Sequence, residues 1–404
     1  MSVAIWPPLS AADLKTALED TQRRELEWLL NELHDTLQNL KHGLEDCYAL
    51  LAPIDPGSTL VVSTPRNEAV KGHITRVGTR IVKGTLSLRL RTAPPQTLSL
   101  DPDHPIHLAP LTHLHTLLTD ALDVLTQTLA HLPKPGSEGD DRYLRSPNPG
   151  AAAFVSAQLR LLSASLAEAS AVLKGPPVMA PDPAWTTLSA APSHFLPPAA
   201  PPPSHNPLQS LQSSLPFSTS SGDHHNHNPS SSHAHHHGMD AAAAMAATLQ
   251  NVSVYFGIQE SALVLWVRAL EPADAPVSVG MKFALAIGTA RRLEHDESER
   301  VFGYCCAGLD GRPAVHGAGR SHGPGSPTSL KRSISQQFLV GGNGGGNGGG
   351  AKKGPAQVYV REKIRVESAD PSLLSLSAKL GALSNTLSIA RRNLAAVLGE
   401  EMEE

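Results

Sequence analysis

Residues 371–398 place apolar side chains at Leu373, Leu376, Leu380, Leu383, Leu387, Ala390, Leu394 and Val397, three and four apart in strict alternation. On an α-helix this spacing draws one narrow apolar stripe, which a facing helix covers. The start is marked as well: Ser368 and Asp370 are capping types, and Pro371 suits a first helical position. The rest of the chain has to supply a partner for this seam.

Three further stretches carry the same repeat. Leu26, Leu30, Leu33, Leu37, Leu40, Leu44, Cys47 and Leu51 form one. Leu111, His115, Leu118, Leu122, Leu125, Leu129 and Leu132 form another, and Val155, Leu159, Leu162, Leu166, Ala169 and Leu173 the last. Four seams in one chain can satisfy one another, so the pattern predicts a long antiparallel four-helix bundle built from both chain ends. A two-chain leucine zipper needs a similar seam but would leave three of the four to explain. Trp28 lies off the seam and is either a rim contact or an exposed anchor for a partner.

Between the helical stretches the apolar period drops to two. Thr59–Ser63 and Ile74–Val82 are candidate strands, Leu86, Leu88 and Leu90 alternate cleanly, and Leu98 and Leu100 add a short fourth. The pattern resumes at Val252, Val254 and Phe256. Over Ser261–Leu270, Val264, Trp266 and Arg268 fall on one face and Leu263, Leu265 and Val267 on the other. Val277–Ile287, Val301–Ala307 and Gln357–Glu367 continue it. The fold expected is α+β. A discontinuous helical domain takes 12–52, 106–174 and 371–400, and a discontinuous antiparallel sheet domain takes 53–105, 249–307 and 356–368. Residues 175–248 and 308–355, rich in Pro, Ser, His and Gly, read as a disordered linker and a disordered insert.

Composition narrows the function classes. Net charge is −4 over 404 residues and aromatics are 4 %, which argues against a nucleic-acid binder with a basic excess and stacking platforms. Cys47, Cys305 and Cys306 are too few for a disulfide framework. No basic-then-apolar leader opens the sequence, and no run of about 18 apolar residues occurs, so a soluble intracellular protein without a spanning helix is expected. The Asn251-Val252-Ser253 sequon should then be silent.

The chemical motifs are weak. His224–His237 is imidazole-rich but falls in a stretch read as disordered, where nothing completes a fixed metal site. Gly319-Arg320-Ser321-His322-Gly323 matches a nucleophile elbow without the strand and helix that would hold the strained turn. The glycine run after Val340 is a linker rather than a phosphate cradle. His113 and His115 read as helix-face residues. Lys331-Arg332-Ser333-Ile334-Ser335 makes Ser333 and Ser335 candidate phosphorylation sites. No catalytic residue, cofactor or metal is expected.

Glu25-Leu26-Glu27-Trp28-Leu29-Leu30, Val70-Lys71-Gly72-His73-Ile74, Asn251-Val252-Ser253-Val254-Tyr255 with Leu263-Val264-Leu265, and Val360 to Ser368 running into the last helix stand as separate blocks. Together they resemble the Rogdi family, whose fungal members are the small subunit of the RAVE complex. The resemblance covers about two thirds of the chain and misses both low-complexity inserts. It implies a non-enzymatic subunit that promotes assembly of the vacuolar-type proton ATPase, rejoining the peripheral sector to the membrane sector. The implied partners are a large scaffold subunit, an adaptor shared with ubiquitin ligases, and the peripheral sector itself. The implied location is the cytoplasm, with recruitment to vacuolar and endosomal membranes only through partners.

Overall fold

The seams fold as helices in the computed structural model, which describes residues 10–132, 149–177, 182–197, 251–274, 295–313 and 355–399. Helix α1 (Ala11–Ala49) opens at Ser10, whose hydroxyl oxygen accepts from the Asp13 amide. Next come α2 (Ala109–His131), α3 (Pro149–Lys174), the short α4 (Trp185–Leu188) and α5 (Pro371–Leu398). Asp370 caps α5 by accepting from the Ser372 amide, and Gly399 ends it with a φ of 65°. α1 packs on α2 and α5, and α3 packs on the same two helices. Lys379 reaches Asp46 at 2.6 Å, and Leu383 closes on Gly43, where a Cβ would lie 2.5 Å from Leu383 Cδ2. α5 therefore runs antiparallel to α1.

The strands form two antiparallel sheets. The first holds β1 (Ser58–Ser63), β2 (Val70–Val77), β3 (Arg80–Leu88) and β4 (Gln96–Ser99) in that order, with β5 (Ile106–His107) beside the start of β3. The second runs β6 (Val252–Gln259), β7 (Ala262–Pro272), β9 (Ala356–Ala369), β8 (Val301–Tyr304). The single strand expected over 74–82 is two strands. Gly78, at φ +60°, turns the chain so that Val77 pairs with Arg80. The β6–β7 hairpin turns at Glu260 and Ser261, both at positive φ without glycine. Their amides donate to the carbonyls of Lys174 and Leu173, so the turn closes the open C-terminal end of α3.

The expected long four-helix bundle with one sheet domain is not what forms. The class is α+β, but the described residues form two sheets, whose strands separate α1 from α2 and α4 from α5 along the chain. The buried residues run unbroken from the helical seams into the inner faces of both sheets, so helices and sheets share a core. Heptad spacing could not show this, because a stripe that meets a sheet has the same period as one that meets a helix. α2 records the difference. Its buried line is Leu111, Leu114, Leu118, Ala121, Leu125 and Thr128, while Leu122 and Leu129 are only partly buried and His115 stacks on Tyr48 at 4.6 Å. Of the other seam residues, Leu30, Leu33, Leu37, Leu40, Leu44, Leu159, Leu162, Leu166, Leu376, Leu380, Leu387 and Leu394 are buried; Leu26 and Leu383 are partly so.

Two further expectations change. Residues 182–197, read as linker, are folded. Trp185 in α4 is 1 % exposed and packs with Tyr255, Leu270, Tyr304, Val358 and Val360 on the far face of the second sheet. And α3 is long and apolar enough by length and composition to cross a membrane. In this fold one stripe of it is buried, with Val155, Leu159, Leu162, Leu166, Ala169 and Leu173 at seam spacing.

Candidate interaction surfaces

Because α5 runs antiparallel to α1 and ends at Leu398, the first turns of α1 extend past it. From Ala11 to Trp28 every residue except Asp20 and Leu26 is exposed. Three large apolar side chains stand out there: Leu14 at 57 %, Leu18 at 59 % and Trp28 at 66 % exposure. With Thr21 and Glu25 between them they step 4-3-4-3, so they share one stripe. The stripe is offset from the buried line of Leu30, Leu33 and Leu37, which explains why the core does not cover it. Ion pairs Lys15–Glu19 and Asp20–Arg23 line its polar flank. A rigid helix with an exposed Trp and two Leu on one stripe is suited to seat in an apolar groove of a partner. The sequence pointed to Trp28; it missed Leu14 and Leu18, which precede the seam and break no pattern of their own.

A second concavity, of about 400 Å³, lies between the C-terminal end of α3 and the second sheet. Val172, Pro176, Pro177, Tyr255, Val264 and Trp266 line it, with Glu168 and Asp182 on its walls. The Tyr255 hydroxyl donates to Asp182, and burial pushes its pKa well above the usual tyrosine value. Beside it Arg268, 2 % exposed, forms a bidentate pair with Glu297 (2.7 and 3.0 Å) and lies over the rings of Trp185 and Trp266. Lys363 bonds the same carboxylate at 2.8 Å. Burial drives the Glu297 carboxyl up, but the bonds from Arg268 and Lys363 outweigh it and hold it below the ordinary range. This cluster ties β7, β9 and residues 295–299 together and reads as structure.

The remaining motif residues disperse. His113 bonds Glu168 across α2 and α3 at 2.9 Å. Ser253 of the sequon is buried and hydrogen-bonded to Ser189, so the motif is not displayed as a loop. Cys47 is buried, which raises its thiol to about 11. Among the described residues no three His, Cys, Asp or Glu side chains gather as a metal site. His224–His237, Ser321, Ser333, Ser335 and Val277–Ile287 lie outside the described residues.

A family model described as Rogdi leucine zipper containing protein matches residues 25–395. The match takes in α1 from Glu25, both sheets and all but the last turn of α5. No curated protein matches the chain.

Proposed function

The chain belongs to the Rogdi leucine-zipper-containing family, and on that premise we propose that it is a non-enzymatic subunit of a RAVE-like complex. In this reading it promotes assembly of the vacuolar-type proton ATPase by binding, helping to return the peripheral sector to the membrane sector. The observation that carries the proposal is the match across nearly the whole chain. The stripe of Leu14, Leu18 and Trp28 supplies a place for the large scaffold subunit to dock, and the ubiquitin-ligase-type adaptor joins that assembly. The protein works in the cytoplasm and reaches vacuolar and endosomal membranes through these partners.

The other reading, a zipper dimer unrelated to the pump, is disfavoured. Leu33, Leu37, Leu40 and Leu44 are at most 3 % exposed within a single chain, so that seam is not available to a second copy. The deciding experiment removes the protein from its cells and follows the pump after its sectors have been driven apart. Slow or incomplete return of the peripheral sector to membranes, with weak vacuolar acidification, is expected. Reassembly at the parental rate with normal acidification contradicts the proposal.

A further inference from the structure

The outer face of the first sheet is unlike the rest of the molecule. Residues 58–100 hold seven Lys and Arg against one Glu, in a chain of net charge −4. Of the seven, Arg76 is buried against Asp370, and Arg91 lies at the sheet's margin, where its backbone amide donates to Glu362. The others face out. The register sets Lys71 opposite Ser87, His73 opposite Thr85 and Thr75 opposite Lys83, with Arg89 one step beyond Ser87 on the same face. Lys71, His73, Lys83 and Arg89 are exposed. Among the described residues Lys71, Lys83 and Arg89 have no ion-pair partner. Between Lys71 and Arg89 the surface is notched, with Asn67, Glu68, Ala69 and Ser87 completing a concavity of about 240 Å³.

We infer that this face docks an extended acidic segment of another protein, laid along β2 and β3 with a carboxylate in the Lys71–Arg89 notch. Three features choose that partner. The face mixes unpaired cations with Thr85, Ser87, Thr97 and Ser99, which offer hydroxyls to a peptide backbone, while Thr59 bonds Thr75 and Ser63 bonds Asn67. Among the described residues its one ring is the His73 imidazole, not the row of rings a single-stranded nucleic acid stacks on, and Val61 is its one large apolar side chain, too little to insert into a bilayer. Lys71 and the cross-strand site of Lys83 at Thr75 are four residues apart, about 13 Å at strand rise, which an extended peptide matches with acids four residues apart. This surface is distinct from the α1 stripe, and the inference stands or falls without the assembly-factor reading.

The test is fluorescence anisotropy of a labelled deca-glutamate peptide titrated with the full chain, beside deca-glutamine and vesicles of phosphatidylcholine with phosphatidylserine. Saturable binding of deca-glutamate alone is expected, weakening as salt rises through the range where the screening length drops below about 10 Å. Lys71→Glu/Lys83→Glu/Arg89→Glu should lose about tenfold or more in affinity while keeping the parental melting midpoint. Lys71→Arg/Lys83→Arg should bind as the parent does. If the triple reversal lowers the melting midpoint, Lys71→Ala/Lys83→Ala takes its place, with a smaller loss expected. Parental affinity in the charge variants, absence of saturable peptide binding, or capture by the anionic vesicles without peptide binding would each overturn the inference.

Discussion

The two sheets use the same pairing and end in opposite surroundings. In the first, inward residues such as Leu60, Ile74, Leu86 and Leu98 are buried while their neighbours Val61, His73 and Thr97 are exposed. In the second, every residue of β6 is buried, with the helices on one face and Trp185, Tyr304 and Leu270 on the other. A sheet face left wet can take a partner there; a strand walled on both sides, as β6 is, holds the molecule together. The polar groups follow suit. Arg268 and Glu297 of the second sheet are locked into each other, whereas Lys71, Lys83 and Arg89 of the first are left to solvent.

Substitutions on corresponding outer faces should therefore differ sharply. Trp185→Ala removes the plug of the second sheet's far face and should cost about 3–5 kcal/mol in denaturant unfolding, whereas Val61→Ala should stay within about 0.5 kcal/mol. Equal losses would erase the contrast. Asp370→Ala strands the buried Arg76 between the first sheet and α5, and removes the α5 cap; a loss of about 3–5 kcal/mol is expected, and a much smaller one would mean that Arg76 finds water. Leu376→Ala, at the shared core, should cost about 2–5 kcal/mol, and Leu383→Ala less, since Leu383 is only partly buried.

Acid should expose the second sheet's ion pairs. The Glu297 carboxyl is held below its ordinary pKa, so its contribution is present above the unfolded value of about 4.3 and is lost as pH falls through the lower, folded value. Melting midpoints should fall on acidification through that window in the parent and fall less steeply in Glu297→Gln, which starts lower at neutral pH. Parallel curves for the two proteins would count against the pair. At the small end, Lys83→Ala should change stability by no more than about 0.5 kcal/mol.

Much of this was legible because periodicity reports burial. The seams of α1, α3 and α5 could be read residue by residue, and the faces of β7 were assigned from its alternation. What the spacing could not report is the identity of the covering element. Leu114, Ala121 and Thr128 of α2 are buried where the heptad count chose Leu122 and Leu129, because α2 also meets β6 and small or polar side chains score low on an apolar count. Trp185 went unread because one aromatic between prolines carries no period. The ion pairs Arg76–Asp370 and Arg268–Glu297 join residues far apart in the chain, which no local pattern reveals. Trp28 was legible as an off-seam aromatic, but its exposure with Leu14 and Leu18 required knowing where α5 stops.

The assembly role and the α1 stripe are tested most directly by an affinity pull-down of the tagged chain from its own cells, parent against Leu14→Ala/Leu18→Ala/Trp28→Ala, read by mass spectrometry. All three side chains are exposed, so the variant should melt with the parent, within about 0.5 kcal/mol. The parent should bring down a large scaffold subunit with peripheral-sector subunits of the proton pump, and the variant should lose them. Recovery of the chain without any pump or scaffold subunit would contradict the assembly role, and equal recovery by both proteins would remove the α1 stripe as the docking site.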